Sequence, residues 1–398
     1  MWRSIGAAFF VLTFCTGTSF FTLPFTVSHA GFWPSVVAVI ISWLFLLLTG
    51  LYYLEATLTL PPGSNVYSIS RRYSGPKTVL FNVTMFIAVN YGYLIIFFGF
   101  GIPLSTQLLS LFNVPWPQLA SYLFFALILG ISVSVSTRVA IMVNFLLVLL
   151  MGLVFYLCFR DGLLAFNTEA LSHFTAAYFF VVLPSLLNSL YFQTMIPTLA
   201  QFLKYDLKKV KRSIIAGLSL SCLLFIAWLS LVISSTALGS LGDLNWLAPE
   251  TISFFKISTV ERIGRWLPYL LLIMLTANAL ATGTVLVDFF SDLMKIPMER
   301  LRGYKRFLMT QCIFIPPLLC TLIPTQIILK IMLYITDVGG LYLSVILPIL
   351  WIWFLRYSYQ VKAVQLVPGG EPVLTTLTIV SCFVLYLVGL VFLYQALV

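Results

Sequence analysis

Long apolar runs dominate the chain and alternate with short polar or basic stretches. Counting runs of about 20 residues, the length that crosses a bilayer as a helix, predicts eleven helices. They cover about 4–26, 33–58, 79–110, 118–136, 139–159, 174–203, 213–238, 265–294, 307–323, 327–355 and 373–397. The third, sixth, eighth and tenth exceed the minimum length, so tilt or a break is expected in each. Two spans are also interrupted by polar residues. Pro184 to Pro197, P-S-L-L-N-S-L-Y-F-Q-T-M-I-P, places Ser185, Asn188, Ser189, Tyr191, Gln193 and Thr194 between two prolines. Each polar group in lipid must find a partner away from water, and proline removes a backbone donor. The segment is therefore expected to open and face a cavity or a ligand. Thr13 to Pro24, T-F-C-T-G-T-S-F-F-T-L-P, is its counterpart in the first span.

The loop charges set an expected orientation. With the N-terminus in the cytoplasm, only Arg160, Lys256, Arg262, Arg265 and Lys330 of the 22 basic residues fall outside. The positive-inside rule favours that arrangement and puts the C-terminus outside. Spans 1–5 and 6–10 then run in opposite senses, each set opened by an interrupted span. This is the expectation for an all-α integral membrane protein built as a 5+5 inverted repeat with an eleventh helix added. The repeats cover about 4–159 and 174–355, the additional helix about 373–397, all in one transmembrane domain over residues 1–398.

Composition agrees with this picture. Of 398 residues 61% are hydrophobic and 9% charged, where soluble domains carry roughly a quarter charged residues; the mean hydropathy is +1.05. The net charge of +10 lies in short loops, which fits membrane orientation and contact with anionic lipid rather than nucleic-acid binding. Arg3, an apolar run and Ser28-His29-Ala30 resemble a secretory signal, but Thr13, Thr16, Gly17, Thr18 and Ser19 interrupt the run, so it is read as the first helix. The six cysteines fall in apolar runs without a CxxC, and His29 and His173 stand far apart. No metal or cofactor is expected. Walker A and GxSxG motifs are absent from the sequence, so neither ATP-driven pumping nor hydrolase chemistry is expected.

Candidate binding groups follow from the interruptions. Thr16, Gly17, Thr18 and Ser19 could expose half-helix ends to a carboxylate or an ammonium group. Asn188, Tyr191, Phe192, Gln193 and Thr194 surround the axis of the sixth span, with Gln193 the sharpest candidate. Asn90, with Tyr91 and Tyr93, forms a polar-aromatic patch in the third. Three carboxylates are candidates for proton coupling. Glu55 near the end of the second span is either paired or a proton carrier, because an isolated charge there is costly. Asp288 shares a helix face with Asp292 at i,i+4, and Asp292 is expected to be solvated. Asp337 stands beside Gly339 and Gly340, which suggests a further break.

Several motifs, in order, resemble those of the aromatic amino acid permeases. These are the tyrosine- and tryptophan-specific transporters of the amino acid–polyamine–organocation superfamily. The motifs are L-P-F-T-V-S-H-A-G-F-W-P-S from Leu23, L-L-T-G-L-Y-Y-L-E ending at Glu55, F-Q-T-M-I-P-T-L from Phe192, V-D-F-F-S-D from Val287 and V-P-G-G from Val367. The resemblance implies a LeuT-like fold and import of tyrosine, phenylalanine or tryptophan with a proton across the cytoplasmic membrane. It implies that the substrate's amino and carboxyl groups lie against Gly17–Ser19 and Phe192–Gln193. It also makes Glu55 and Asp288 matches to charged residues typical of the family. Where that family usually reads G-A-G, this chain has Gly17-Thr18-Ser19, and Tyr191 stands where many of its members carry glycine. Three alternatives stay open: a transporter-fold receptor, a carrier of a different amino acid, and sodium coupling through hydroxyls such as Thr282 and Thr284.

Overall fold

The computed structural model describes residues 2–17, 20, 23–24, 27, 30–110, 118–175, 178–235, 265–323, 325–361 and 364–397. Among the described residues the secondary structure is helical, with no strand. Helices α1 (Trp2–Cys15), α2 (Phe32–Leu58), α3 (Val66–Tyr73), α4 (Pro76–Ser110), α5 (Gln118–Val135) and α6 (Thr137–Gly162) form the first part. Helices α7 (Phe179–Ser189), α8 (Ile196–Phe202), α9 (Leu207–Ser235), α10 (Leu267–Leu293) and α11 (Tyr304–Cys320) follow. The last part comprises α12 (Thr325–Leu341), a π turn (Tyr342–Ile346), α13 (Leu347–Trp353), a second π turn (Phe354–Ser358) and α14 (Gly370–Leu397).

Seven helical stretches among the described residues are long and apolar enough to cross a membrane: Phe32–Leu58, Pro76–Leu109, Thr137–Gly162, Leu207–Ser234, Leu267–Leu293, Ile331–Ser358 and Gly370–Gly389. Helix α1 and Leu119–Val135 are shorter apolar helices. Helix α10 is the most enclosed, with 78% of its apolar window buried, and α14 the least, with 28%. The former is therefore the central post and the latter a peripheral helix. Around α10 stand α4 and α6; α1 packs on α9 and α6, and α2 on α7, α9 and α13. Small residues set the closest crossings, as expected where lipid supplies no hydrophobic drive between helices. A side chain at Gly217 would run into the Ala8 carbonyl and Val11 of α1.

The sixth predicted span is interrupted, although not at its first proline. Helix α7 runs through Pro184 and ends at Ser189; Leu190–Phe192 leave the helical path, and a 3-10 turn at Gln193–Met195 leads into α8. Pro197 occupies the first turn of α8, where its missing N–H costs nothing. The first span ends its helix at Cys15, and Thr16 and Gly17 form a bend. Thr18 and Ser19 lie outside the described residues.

Two expectations are corrected here. No break occurs at Gly339-Gly340: α12 continues through both, and the irregularity is the π turn that follows. The glycines instead let α12 approach its neighbours, because a Cβ at Gly339 would strike Val89 and Met85 of α4. Asp292 is not a solvated partner of Asp288. Its carboxylate accepts from the backbone N–H of Asn65 (3.0 Å) and Ser68 (2.9 Å) and from the Ser68 hydroxyl. It thus caps the first turn of α3, a short amphipathic helix that the apolar-run count does not detect. Asp292→Ala should cost about 1–2 kcal/mol, as loss of a helix cap does. Limited proteolysis should then cut within 59–75 faster than in the parent protein; an unchanged rate would refute the cap.

Candidate functional site

The two interruptions meet. The Cys15 thiol, last in α1, donates to the Leu190 carbonyl at 3.5 Å, the first residue after α7. Helix ends leave carbonyls without intrahelical partners, and neighbouring asparagines supply some of the missing donors. Asn278 of α10 donates to the Thr16 carbonyl at 3.3 Å. Asn144 of α6 accepts from Thr13 at 3.1 Å and donates to the Ala277 carbonyl at 3.4 Å. Gly17 keeps space around it: a Cβ there would lie 3.8 Å from the Asn278 amide oxygen and 3.9 Å from Phe97.

A column of rings rises beside this junction. Phe97 and Tyr93 of α4 stack at 5.9 Å between centroids, and Tyr93 stacks on Tyr191 at 5.7 Å. The Tyr93 hydroxyl donates to the Asn188 amide oxygen at 3.3 Å, and the Asn188 nitrogen donates to the Asp337 carboxylate. Three elements, α4, α7 and α12, are thereby joined by one polar chain at the edge of the unwound segment. Tyr191, Thr194 and Thr198 are buried, and their hydroxyl oxygens have no hydrogen-bond partner among the described residues.

Other residues selected from the sequence lie elsewhere. Gln193 is fully buried, and its amide is spent on protein groups: the oxygen accepts from the Phe192 N–H (3.0 Å), and the nitrogen donates to the Leu46 carbonyl (3.3 Å) and Thr49 (3.1 Å) of α2. Phe192 packs against α2 at Gly50, where any side chain would collide with its ring. Both residues fasten the unwound segment to α2. Asn90 donates within its own helix to the Phe86 carbonyl at 2.8 Å, while its amide oxygen is buried without a partner. Tyr91 turns to α11 and donates to the Cys312 carbonyl at 3.0 Å. Thr284 back-bonds to the Leu280 carbonyl at 2.8 Å.

Of the two readings of Glu55, the structure supplies a partner. Arg356 grips it with two hydrogen bonds, Nε to Oε1 at 2.9 Å and Nη2 to Oε2 at 2.7 Å, and the Leu366 N–H adds a third at 3.0 Å. Arg356 also lies over the Tyr52 ring, 5.3 Å from its centroid. Asp288 is buried near the end of α10. One oxygen accepts from Thr137 at 3.4 Å, and Thr137 in turn accepts from Arg306 at 3.0 Å; the other oxygen has no partner among the described residues.

Sequence reasoning missed Phe97, Asn144, Asn278, Arg306 and Arg356. A lone asparagine inside an apolar run, as in V-N-F and A-N-A, was a usable signal for Asn144 and Asn278. Phe97 gave none in a chain that is 16% aromatic, and Arg306 and Arg356 read as loop charges.

The sequence is similar to known transport proteins over most of its length. The model of the tryptophan/tyrosine permease family matches residues 2–388. The tryptophan-specific transport protein of Haemophilus influenzae is 27% identical over 339 residues, covering 80% of this chain and 79% of that protein. That of Pseudomonas aeruginosa is 23% identical over 328 residues, 79% and 77% of the two chains. The tyrosine-specific transport system 1 of Haemophilus influenzae is 22% identical over 366 residues, 90% and 89% of the two.

Proposed function

The chain belongs to the tryptophan/tyrosine permease family, and from that premise we propose that it imports an aromatic amino acid by proton symport. The family is one of transport permeases, not enzymes, and the several apolar helices are those of a multi-pass membrane protein. The observation that carries the reading is the junction of two helix interruptions, Cys15–Gly17 and Leu190–Phe192, beside the Phe97–Tyr93–Tyr191 ring column. Paired interruptions of this kind are where secondary transporters hold substrate. The proposed architecture is a single LeuT-like 5+5 inverted repeat plus an eleventh helix. It sits in the cytoplasmic membrane with the N-terminus inside and the C-terminus outside.

In this reading Thr16 and Gly17, continued by Thr18 and Ser19, meet the substrate's charged groups. Tyr191 offers a face for an aromatic side chain, a contact worth roughly 0.5–1.5 kcal/mol beyond its area. Asn188 and Thr194 supply polar contacts, and the unpartnered amide oxygen of Asn90 is a further candidate acceptor. Phe192 and Gln193 position the unwound segment from α2. Asp337 and Asp288 are the coupling carboxylates, and Glu55 serves the framework through Arg356.

The test is uptake of labelled tyrosine, phenylalanine and tryptophan into proteoliposomes under a pH gradient or a sodium gradient imposed separately. Saturable accumulation of at least one of the three, driven by the pH gradient alone, is expected. Accumulation with sodium only would overturn the coupling, and none under either gradient would overturn the substrate class.

A further inference from the structure

We propose that the buried hydroxyls of Tyr191, Thr194 and Thr198 form a proton path leading from the unwound segment to the Asp288 carboxyl. The inference rests on the proton-symport reading and adds the route, its direction and its terminal acceptor.

The three hydroxyls follow one another along the connection into α8. The Tyr191 hydroxyl lies beside that of Thr194, and the Thr198 hydroxyl beside the Asp288 carboxyl, each pair close enough to interact but short of standard hydrogen-bond geometry. Thr194 and Thr198 are separated by four residues, the spacing that brings helical side chains to one face. None of the hydroxyl oxygens, nor Oδ2 of Asp288, has a hydrogen-bond partner among the described residues, and all four residues are buried. Buried polar atoms are otherwise paired as a rule. Other buried threonines keep the rule by back-bonding, Thr16, Thr57, Thr284 and Thr310 each donating to the carbonyl four residues earlier, although Ser42, Tyr52 and Tyr53 also carry unpartnered hydroxyls among the described residues. Thr194 and Thr198 do not back-bond, so their hydroxyls stay available to a passing proton or to water.

Both ends of the row hold a carboxylate. At the outer end Asp337 accepts from Asn188, which stands three residues before Tyr191. At the inner end Asp288 is surrounded by groups that define its role. Arg306 of α11 donates to the Thr137 hydroxyl that in turn donates to Oδ1, and its charge acts on the carboxyl directly; Tyr205, beyond α8, lies within electrostatic reach together with Asp292. The nearby guanidinium disfavours a metal cation at Asp288, whereas a proton on Oδ2 needs no cavity. Each step conserves protons. An oxygen in the row accepts one on a lone pair while its own hydrogen passes inward, water bridging the longer gaps. Asp288 ends as the neutral carboxylic acid, and it releases the proton on the side of the 204–212 and 295–306 basic loops. The hydroxyls are then reset by rotation.

The experiment uses the full chain in proteoliposomes with a trapped pH dye and a labelled aromatic amino acid that the parent protein carries. Thr198→Val should preserve counterflow exchange at equal pH and lose substrate-dependent proton entry and pH-driven accumulation by roughly a hundredfold, the low end for a positioned proton-transfer group. Asp288→Asn should lose the same proton entry. Thr198→Ser, which restores the hydroxyl, should restore proton entry and accumulation. Normal proton entry in Thr198→Val would overturn the path while leaving symport intact. Loss of counterflow in Thr198→Val would overturn it by making the row structural. A parent protein that exchanges substrate without moving protons would overturn the underlying symport reading itself.

Discussion

Glu55→Gln is expected to destabilise the folded chain by about 3–5 kcal/mol, the cost of leaving a buried charge without its partner. The side chains of Arg356 and Glu55 are 6% and 1% exposed, so solvent screening offers little relief. A glutamine retains the shape and one acceptor but not the charge, and Nη1 of Arg356 already has no partner among the described residues. Arg356→Met should cost a similar amount from the other side, leaving the carboxylate with only the Leu366 N–H. Removing both charges in Glu55→Leu/Arg356→Met should recover most of the loss, because apolar residues of similar volume often match a buried ion pair. Thermal unfolding of the purified protein across this cycle reads the coupling directly. A proton-carrying Glu55 predicts something else: Glu55→Gln would melt like the parent protein and lose only pH-driven uptake.

That ion pair also marks where the sequence stops being legible. Its partners are 301 residues apart, and no local pattern joins the end of one apolar run to the end of another. The seven long apolar helices among the described residues were readable because each hides its backbone polar groups inside a long apolar run. Most of their ends, such as 33–58 against Phe32–Leu58, differ by about three residues or fewer where both are described, the widest gap being the start of α9, 213 against Leu207. Helix α3 escaped because it is short, amphipathic and held by Asp292 rather than by apolar burial. The interruption at residues 190–192 falls inside the polar stretch between Pro184 and Pro197. Its polar cluster announces unwinding, while Pro184 is accommodated inside α7 and so does not mark the break. Gln193 was singled out for its chemistry, but its two nitrogen contacts and one oxygen contact belong to the framework. Gly339 and Gly340 were read as helix breakers, although their missing side chains serve close packing. In each case composition identified a special position, and only the neighbours supplied by the fold determined its use.

Those neighbours make Asn188 the position where a small change should act most on transport. Asn188→Ala removes the acceptor for Tyr93 and the donor to Asp337 in one step. An enclosed polar group stripped of its partner costs about 1–3 kcal/mol, and at about 1.4 kcal/mol per factor of ten uptake should fall roughly 5- to 140-fold. Gly340 offers an independent approach to the same junction. A Cβ there would lie 2.7 Å from the Asn188 amide oxygen and 3.2 Å from the Tyr93 hydroxyl. Gly340→Ala should therefore displace Asn188 and reduce uptake by itself. In the Asn188→Ala background the closer obstacle is gone, so the same substitution should add little. Initial uptake rates of the two single variants and the double variant, normalised to folded protein, measure this dependence. Independent, multiplying losses would mean that the Asp337–Asn188–Tyr93 chain is not the unit on which transport depends. A double variant no worse than Asn188→Ala alone would establish that α12 acts on the unwound segment through that one amide.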